Sequence, residues 1–162
     1  MKKVFFTLAL CSVALAASAQ VELKSIDGRI DYLWDTGIGA GVTLGITDQF
    51  EVAPSASIFF GDGDLFTIGA DLHYLLPEFV EKLELFPLGG VGFYHTSYEE
   101  PYVDKNYDLK FRDASDNTVF INAGFGARYH FHENWAAFAE EKYQIVDGWN
   151  HNYLTVGISY TF

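Results

Sequence analysis

The stretch Val119-Phe120-Ile121-Asn122-Ala123-Gly124-Phe125-Gly126-Ala127-Arg128-Tyr129-His130-Phe131 decides the fold. Val119, Ile121, Ala123, Phe125, Ala127, Tyr129 and Phe131 share one phase of a period-two pattern, and Asn122, Gly124, Gly126, Arg128 and His130 share the other. In an extended chain successive side chains point to opposite faces. The alternation therefore predicts a long strand with one apolar face and one face of small or polar residues.

The same period recurs along the chain. Ile38, Ala40, Val42, Leu44 and Ile46 alternate with Gly39, Gly41, Thr43 and Gly45. Phe50 to Phe60, Phe66 to Tyr74 and Leu154 to Phe162 repeat the pattern. Two segments fit less cleanly. Residues 83–94 are glycine-rich and carry Pro87, which suits only a position without a ladder donor. Residues 135–146 alternate until Glu140-Glu141, where one carboxylate falls on the apolar phase; a bulge or a local charge pair would reconcile it. A further segment, about 26–34, brings the count to eight, an even number. After Gln20 no apolar run reaches the length of a membrane-spanning helix. Thr47-Asp48-Gln49 and His132-Glu133-Asn134 read as tight turns, and residues 95–118 as a long polar loop.

Which face lies inside separates a soluble barrel from a membrane barrel. The polar phase is rich in Gly, Ser and Thr, including Gly39, Gly41, Gly69, Gly92, Gly124, Gly126 and Gly157, and lacks the Lys/Glu coat of a solvated exterior. Glycine weakens an exposed strand, but it makes room inside an eight-stranded barrel whose bore is just filled by side chains. The polar phase is read as the lumen and the apolar phase as the lipid face. Aromatic residues support this by falling into two groups. Tyr74, Tyr129, Phe131, Trp135, Tyr160 and Phe162 sit near the ends with tight turns, and Trp34, Phe60, Phe93 and Trp149 near the opposite ends, as two interfacial belts would.

The N-terminus reads as an address. Met1-Lys2-Lys3 precedes an apolar run ending in Ala17-Ser18-Ala19, the pattern of a secretory signal peptide cleaved after residue 19. Residues 20–162 would then form the barrel domain, with 8 basic and 22 acidic residues and a net charge of −14. That balance argues against nucleic-acid binding, which needs a basic face. Cys11 is the single cysteine, so neither a disulfide framework nor a cysteine-rich zinc site is expected; no metal or other cofactor is implied.

The chain ends Tyr153-Leu154-Thr155-Val156-Gly157-Ile158-Ser159-Tyr160-Thr161-Phe162. A terminal Phe, an aromatic two residues before it and alternating apolar positions upstream resemble the C-terminal strand of bacterial outer-membrane barrels. With the signal peptide and eight strands, the chain resembles the small barrels typified by OmpX and the OmpA membrane domain. The resemblance implies an all-β, eight-stranded, antiparallel, up-and-down transmembrane β-barrel reaching the outer membrane through the periplasm. It also implies that Tyr160 and Phe162 are read by the barrel-assembly machinery. Closure removes strand edges, so a monomer is expected, in contact with outer-membrane lipid and lipopolysaccharide.

Three sets of residues are candidates for function. Asp27, Arg29, Asp31, Glu51, Asp71, His73, Arg128, His130, Glu140 and Lys142 fall on the lumen phase. Charges so close in a dry bore must pair, giving a salt-bridged plug; the alternative is a narrow solute pore or proton path lined by His73 and His130. The loop 95–118 mixes Glu99, Glu100, Asp104, Asp108, Asp113 and Asp116 with Tyr98, Tyr102, Tyr107 and Phe111, a composition suited to contact with an extracellular ligand. Last, His95 and Ser97 share the lipid-facing phase at an outer rim and are similar to the His-x-Ser of lipid A deacylase barrels. Tyr98 stands where that family has Asn, and Glu99 or Glu100 would be the orienting carboxylate. The role expected overall is non-enzymatic: envelope structure or surface interaction.

Overall fold

Each alternating segment becomes a strand, and the last strand returns to the first. The computed structural model describes residues 21–61, 63–77, 80–103 and 109–162. The strands are β1 (Glu22–Tyr32), β2 (Thr36–Gly45), β3 (Phe50–Gly61), β4 (Gly63–Tyr74), β5 (Leu83–Val103), β6 (Leu109–His132), β7 (Trp135–Val146) and β8 (Trp149–Thr161). Each is antiparallel to its sequence neighbour, and β1 pairs with β8 from Ser25↔Thr161 to Tyr32↔Leu154. The result is a closed, all-β, up-and-down barrel, so within the barrel wall every strand has two hydrogen-bonded neighbours. The expected signal peptide lies outside the described residues.

The barrel is inverted relative to a water-soluble protein. Ile38, Ile58, Ile121 and Phe125 are 53–69% exposed, whereas Asp31, Glu51, Lys142 and Thr155 are 3% exposed or less. Polar side chains face the bore and aliphatic ones the outside, as period-two alternation with a polar lumen requires. In β7 this holds without interruption from Trp135 to Val146. The Glu140-Glu141 conflict is resolved by neither a bulge nor a charge pair: Glu140 points in and Glu141 points out.

Inward glycines face large rings across the ladder. Phe59 lies opposite Gly37, Phe86 opposite Gly126, Phe120 opposite Gly92, and Phe138 opposite Gly157. A Cβ built on Gly92, Gly126 or Gly157 would run into the ring opposite, so each glycine is the space that its aromatic partner fills.

The β2–β3 and β6–β7 connections are short turns at one end of the barrel. Thr47 Oγ1 accepts hydrogen bonds from the amides of Gln49 (3.2 Å) and Phe50 (3.0 Å), which folds the β2–β3 turn through a side chain. Near this turn end Tyr74 packs on Phe50, and Trp135 on Tyr160, with ring centroids 5.1 and 5.2 Å apart. At the other end Gly148 takes the left-handed conformation (φ +88°) in the β7–β8 turn. Trp34 and Phe60 are exposed there, and the side chain of Trp149 lies outside the described set.

Of the long loop expected over residues 95–118, the described residues 95–103 and 109–118 are strand. β5 and β6 stay paired from His95↔Asn117 to Val103↔Leu109, nine register pairs beyond Tyr94↔Thr118. At 3.4 Å per residue this ribbon is about 30 Å long. Among its described side chains Tyr98 is exposed on one face and Phe111 on the other, and its sequence carries no apolar phase by which a strand could be read.

Candidate functional site

The bore is built in two layers. In the half nearest the short turns, each cation is held by carboxylates. Arg128 donates to Glu84 (2.7 Å) and to Glu51 (3.2 Å), and Lys24 reaches the other oxygen of Glu51 at 3.2 Å. Lys142 bridges Asp71 and Glu140, at 2.8 Å to each. Arg29 lies 2.6 Å from the Asp27 carboxylate. His73 stacks on Phe86, with ring centroids 4.5 Å apart, and lies 3.8 Å from Glu140 and 4.0 Å from Glu51. His130 sits at the mouth, 3.2 Å from Glu84. Asp31 is different: it accepts hydrogen bonds from Ser57 (2.5 Å) and Thr155 (2.6 Å).

Aromatic faces cover these cations. The guanidinium of Arg29 lies 5.4 Å from the Phe138 ring centroid and that of Arg128 the same distance from Phe86, while Lys142 Nζ is 5.5 Å from the ring of Tyr153. Glycine, ring and cation thus form a repeated unit. Gly126 admits Phe86, which covers Arg128; Gly157 admits Phe138, which covers Arg29. A cavity of about 10 Å³ beside His73, Arg29 and Glu140 is comparable to the space of one water molecule.

The half nearest the long hairpin is built mainly of rings and aliphatic groups, with Asp31, Gln144 and Thr67 buried beside them. Phe59, Leu65, Tyr94, Phe120, Val146 and Tyr153 form one buried cluster, with Leu33 packed against it. Its polar atoms are joined sideways: the Tyr94 hydroxyl contacts Gln144 and lies 3.1 Å from His151 Nε2.

All ten lumen residues chosen from the sequence face the bore: seven join its ion pairs, His73 and His130 lie within 4.0 Å of carboxylates, and Asp31 is held by hydroxyls. Sequence reasoning missed Lys24 and Glu84, which complete the network at the mouth, and the whole aromatic layer. Lys24 precedes the segment that is legible as a strand, and Pro87 obscures the inward phase of Glu84, Phe86 and Leu88. Tyr160 in β8 and Phe162 just beyond it have ring centroids 5.4 Å apart, and the amide of Phe162 donates to Lys24 O at 3.0 Å.

His95 and Ser97 do meet: Ser97 Oγ lies 3.4 Å from His95 Nε2, and His95 Nδ1 lies 2.8 Å from Asn117 Oδ1. The residue orienting His95 is therefore Asn117 from β6; the side chains of Glu99 and Glu100 lie outside the described set. A neutral amide can fix a tautomer but supplies no charge to stabilise an imidazolium, so the anionic member of a triad is not seen among the described residues. Among the described residues no group of His, Cys, Asp and Glu could hold a metal ion.

A filled bore, an apolar exterior and eight consecutive antiparallel strands have counterparts among solved structures. The N-terminal β-barrel domain of Pseudomonas aeruginosa OprF matches with a TM-score of 0.65 and 19% identity, over 88% of this chain and 96% of that one. This is the fold of an eight-stranded outer-membrane barrel. A major outer membrane protein from Thermus thermophilus matches this barrel with a TM-score of 0.69 and 13% identity, covering 88% and 100% of the two chains. Ail, the attachment invasion locus protein of Yersinia pestis, matches with a TM-score of 0.55 and 16% identity, over 88% and 98%. By sequence, the barrel matches no family model and no curated protein.

Proposed function

We propose that this chain is an outer-membrane barrel with a closed bore, a non-enzymatic envelope scaffold that presents the β5–β6 hairpin at the cell surface. The observation that carries the reading is the doubly filled bore: paired charges occupy one half, and Phe59, Leu65, Tyr94, Phe120, Val146 and Tyr153 the other. A solute path would have to cross both layers. Placing the short turns in the periplasm puts the hairpin outside, and Tyr160 and Phe162 form the end that the assembly machinery would read.

Surface contact is the second part of the proposal. Ail, an attachment protein by name, has the same fold. Here the stretch 95–118 carries six carboxylates against Lys105, Lys110 and Arg112. A ribbon of this charge suits a neutral or cationic partner, or lipopolysaccharide phosphates bridged by divalent cations.

Planar-bilayer conductance of the purified barrel, compared with Arg128→Ala, tests the closed bore. Both are expected to be silent across a wide voltage range, because losing Arg128 leaves the aromatic layer intact. Reproducible current steps in the wild type, or steps that appear in the variant, would instead make this a gated pore with Arg128 in its gate.

A further inference from the structure

Glu141 points into the apolar belt. Its cross-strand neighbours on the outward face are Phe125, 69% exposed, and Leu154, 39% exposed. Along β7 it lies between Ala139 and Tyr143, with Trp135 and Ala137 toward the turn end and Ile145 toward the other. It lies six positions along the strand from Trp135; with strands tilted by about 40°, that places it about 15 Å above the interfacial ring in a band about 25 Å tall. Among the described residues it is the only charged side chain on the outward face between the two groups of aromatics.

The fold does not require this carboxylate. Glu140 already serves Lys142 in the bore, and β7 keeps strict alternation rather than drawing Glu141 inward. An ionisable group facing lipid costs free energy unless another group meets it there, and its partner must reach it from outside the barrel.

Symmetry narrows the choice of partner. Copies of one barrel enter the membrane in the same orientation, so a closed pair is related by a two-fold axis along the membrane normal, which preserves height. At Glu141's level the described belt offers no cation, and what a second copy brings to that height is its own Glu141. Two carboxyls sharing one proton form a charge-assisted hydrogen bond, which is self-complementary. Ala137 and Ala139 keep the β7 ridge low. Beside it runs a shallow groove with Gly28, Trp135, Ala137, Val156 and Ile158 among its walls, so two barrels can approach closely on this side.

We infer that this chain pairs with a second copy of itself in the plane of the membrane through β7, the two Glu141 carboxyls hydrogen-bonded across the two-fold axis. The inference rests on the outer-membrane reading, and it replaces the monomer expected from edge closure alone. The full chain, carrying Cys11→Ala and Asp48→Cys as the single labelling site, is purified from outer membranes and reconstituted in liposomes with donor and acceptor dyes. Absence of the chain from the outer-membrane fraction would count against the location, before self-association is measured at all. Energy transfer between copies is expected to follow a dimerisation curve. Glu141→Leu, which suits lipid and leaves the bore untouched, should weaken the apparent dissociation constant by about tenfold, the equivalent of one charged hydrogen bond. Glu141→Gln, whose amides can pair in the same way, should stay within about threefold of wild type by the same conversion. No transfer in the wild-type barrel, or equal transfer in Glu141→Leu, would overturn the inference.

Discussion

The two halves of the bore do the same work with opposite chemistry. Near the short turns, Lys142, Arg128 and Arg29 are each held by carboxylates, and aromatic rings lie over them. Near the hairpin, Phe59, Tyr94, Phe120 and Tyr153 fill the same cross-section with rings. Both halves depend on strands close enough for opposing side chains to meet at the centre. They differ in what a single substitution leaves behind. In the charged half, away from its mouth, it leaves an unpaired ion; in the aromatic half it leaves a gap or a clash.

The largest effect is therefore expected at Lys142. It alone bridges Asp71 and Glu140, both buried, at 2.8 Å each. Lys142→Met leaves two carboxylates facing one another in a dry bore, and should destabilise the barrel by about 3–5 kcal/mol. Urea unfolding in lipid vesicles, followed by tryptophan fluorescence, would measure the loss. If the single variant does not fold, Lys142→Met with Asp71→Leu and Glu140→Leu should fold again, because an apolar layer needs no counter-ion. A triple variant as unstable as the single one would mean that volume, not charge, sets the cost there.

The aromatic half should respond more weakly, and to an addition. Phe120 occupies the space over Gly92, where a Cβ would fall on the ring. Gly92→Val is expected to cost about 1–3 kcal/mol through overpacking. Combining it with Phe120→Ala should recover part of that loss, since each change vacates what the other needs; simple additivity of the two losses would deny that they share a space.

The contrast also explains how much can be read from the sequence. Asp27, Glu51, Asp71, Arg128, Glu140 and Lys142 are legible because a period of two assigns each a face, and a charge on a face otherwise made of glycine and serine stands out. Phe86, Phe120 and Phe138 are not legible. An aromatic residue is expected on the lipid face or in a belt, and its place inside follows only from register, which sets a glycine directly opposite each ring. The glycines mark a lumen lining in the sequence, without the rings they admit. His95 and Ser97 share a face in the sequence as in the structure, but Asn117 cannot be paired with them while residues 95–118 read as a loop. That segment reads as a loop because its sequence mixes acidic residues and tyrosines in both phases, so alternation, the one signal used for strands, is absent.

The smallest effect is expected at Lys24, and it sharpens the comparison within the charged half. Lys24 and Lys142 both pair with a buried carboxylate, at 3.2 and 2.8 Å. The Lys24 side chain is 30% exposed at the mouth of the bore, against 4% for Lys142. Water already solvates Lys24, and its removal does not orphan Glu51, which keeps Arg128 at 3.2 Å. Lys24→Met should therefore cost no more than about 1 kcal/mol, the range of exposed pairs. Its urea midpoint should move toward wild type as salt is raised, whereas that of Lys142→Met should not, because ions screen the mouth but do not enter the packed bore. A loss at Lys24 equal to that at Lys142 would mean that the mouth is as dry as the centre, and that the charged plug begins at the first inward residue of the wall.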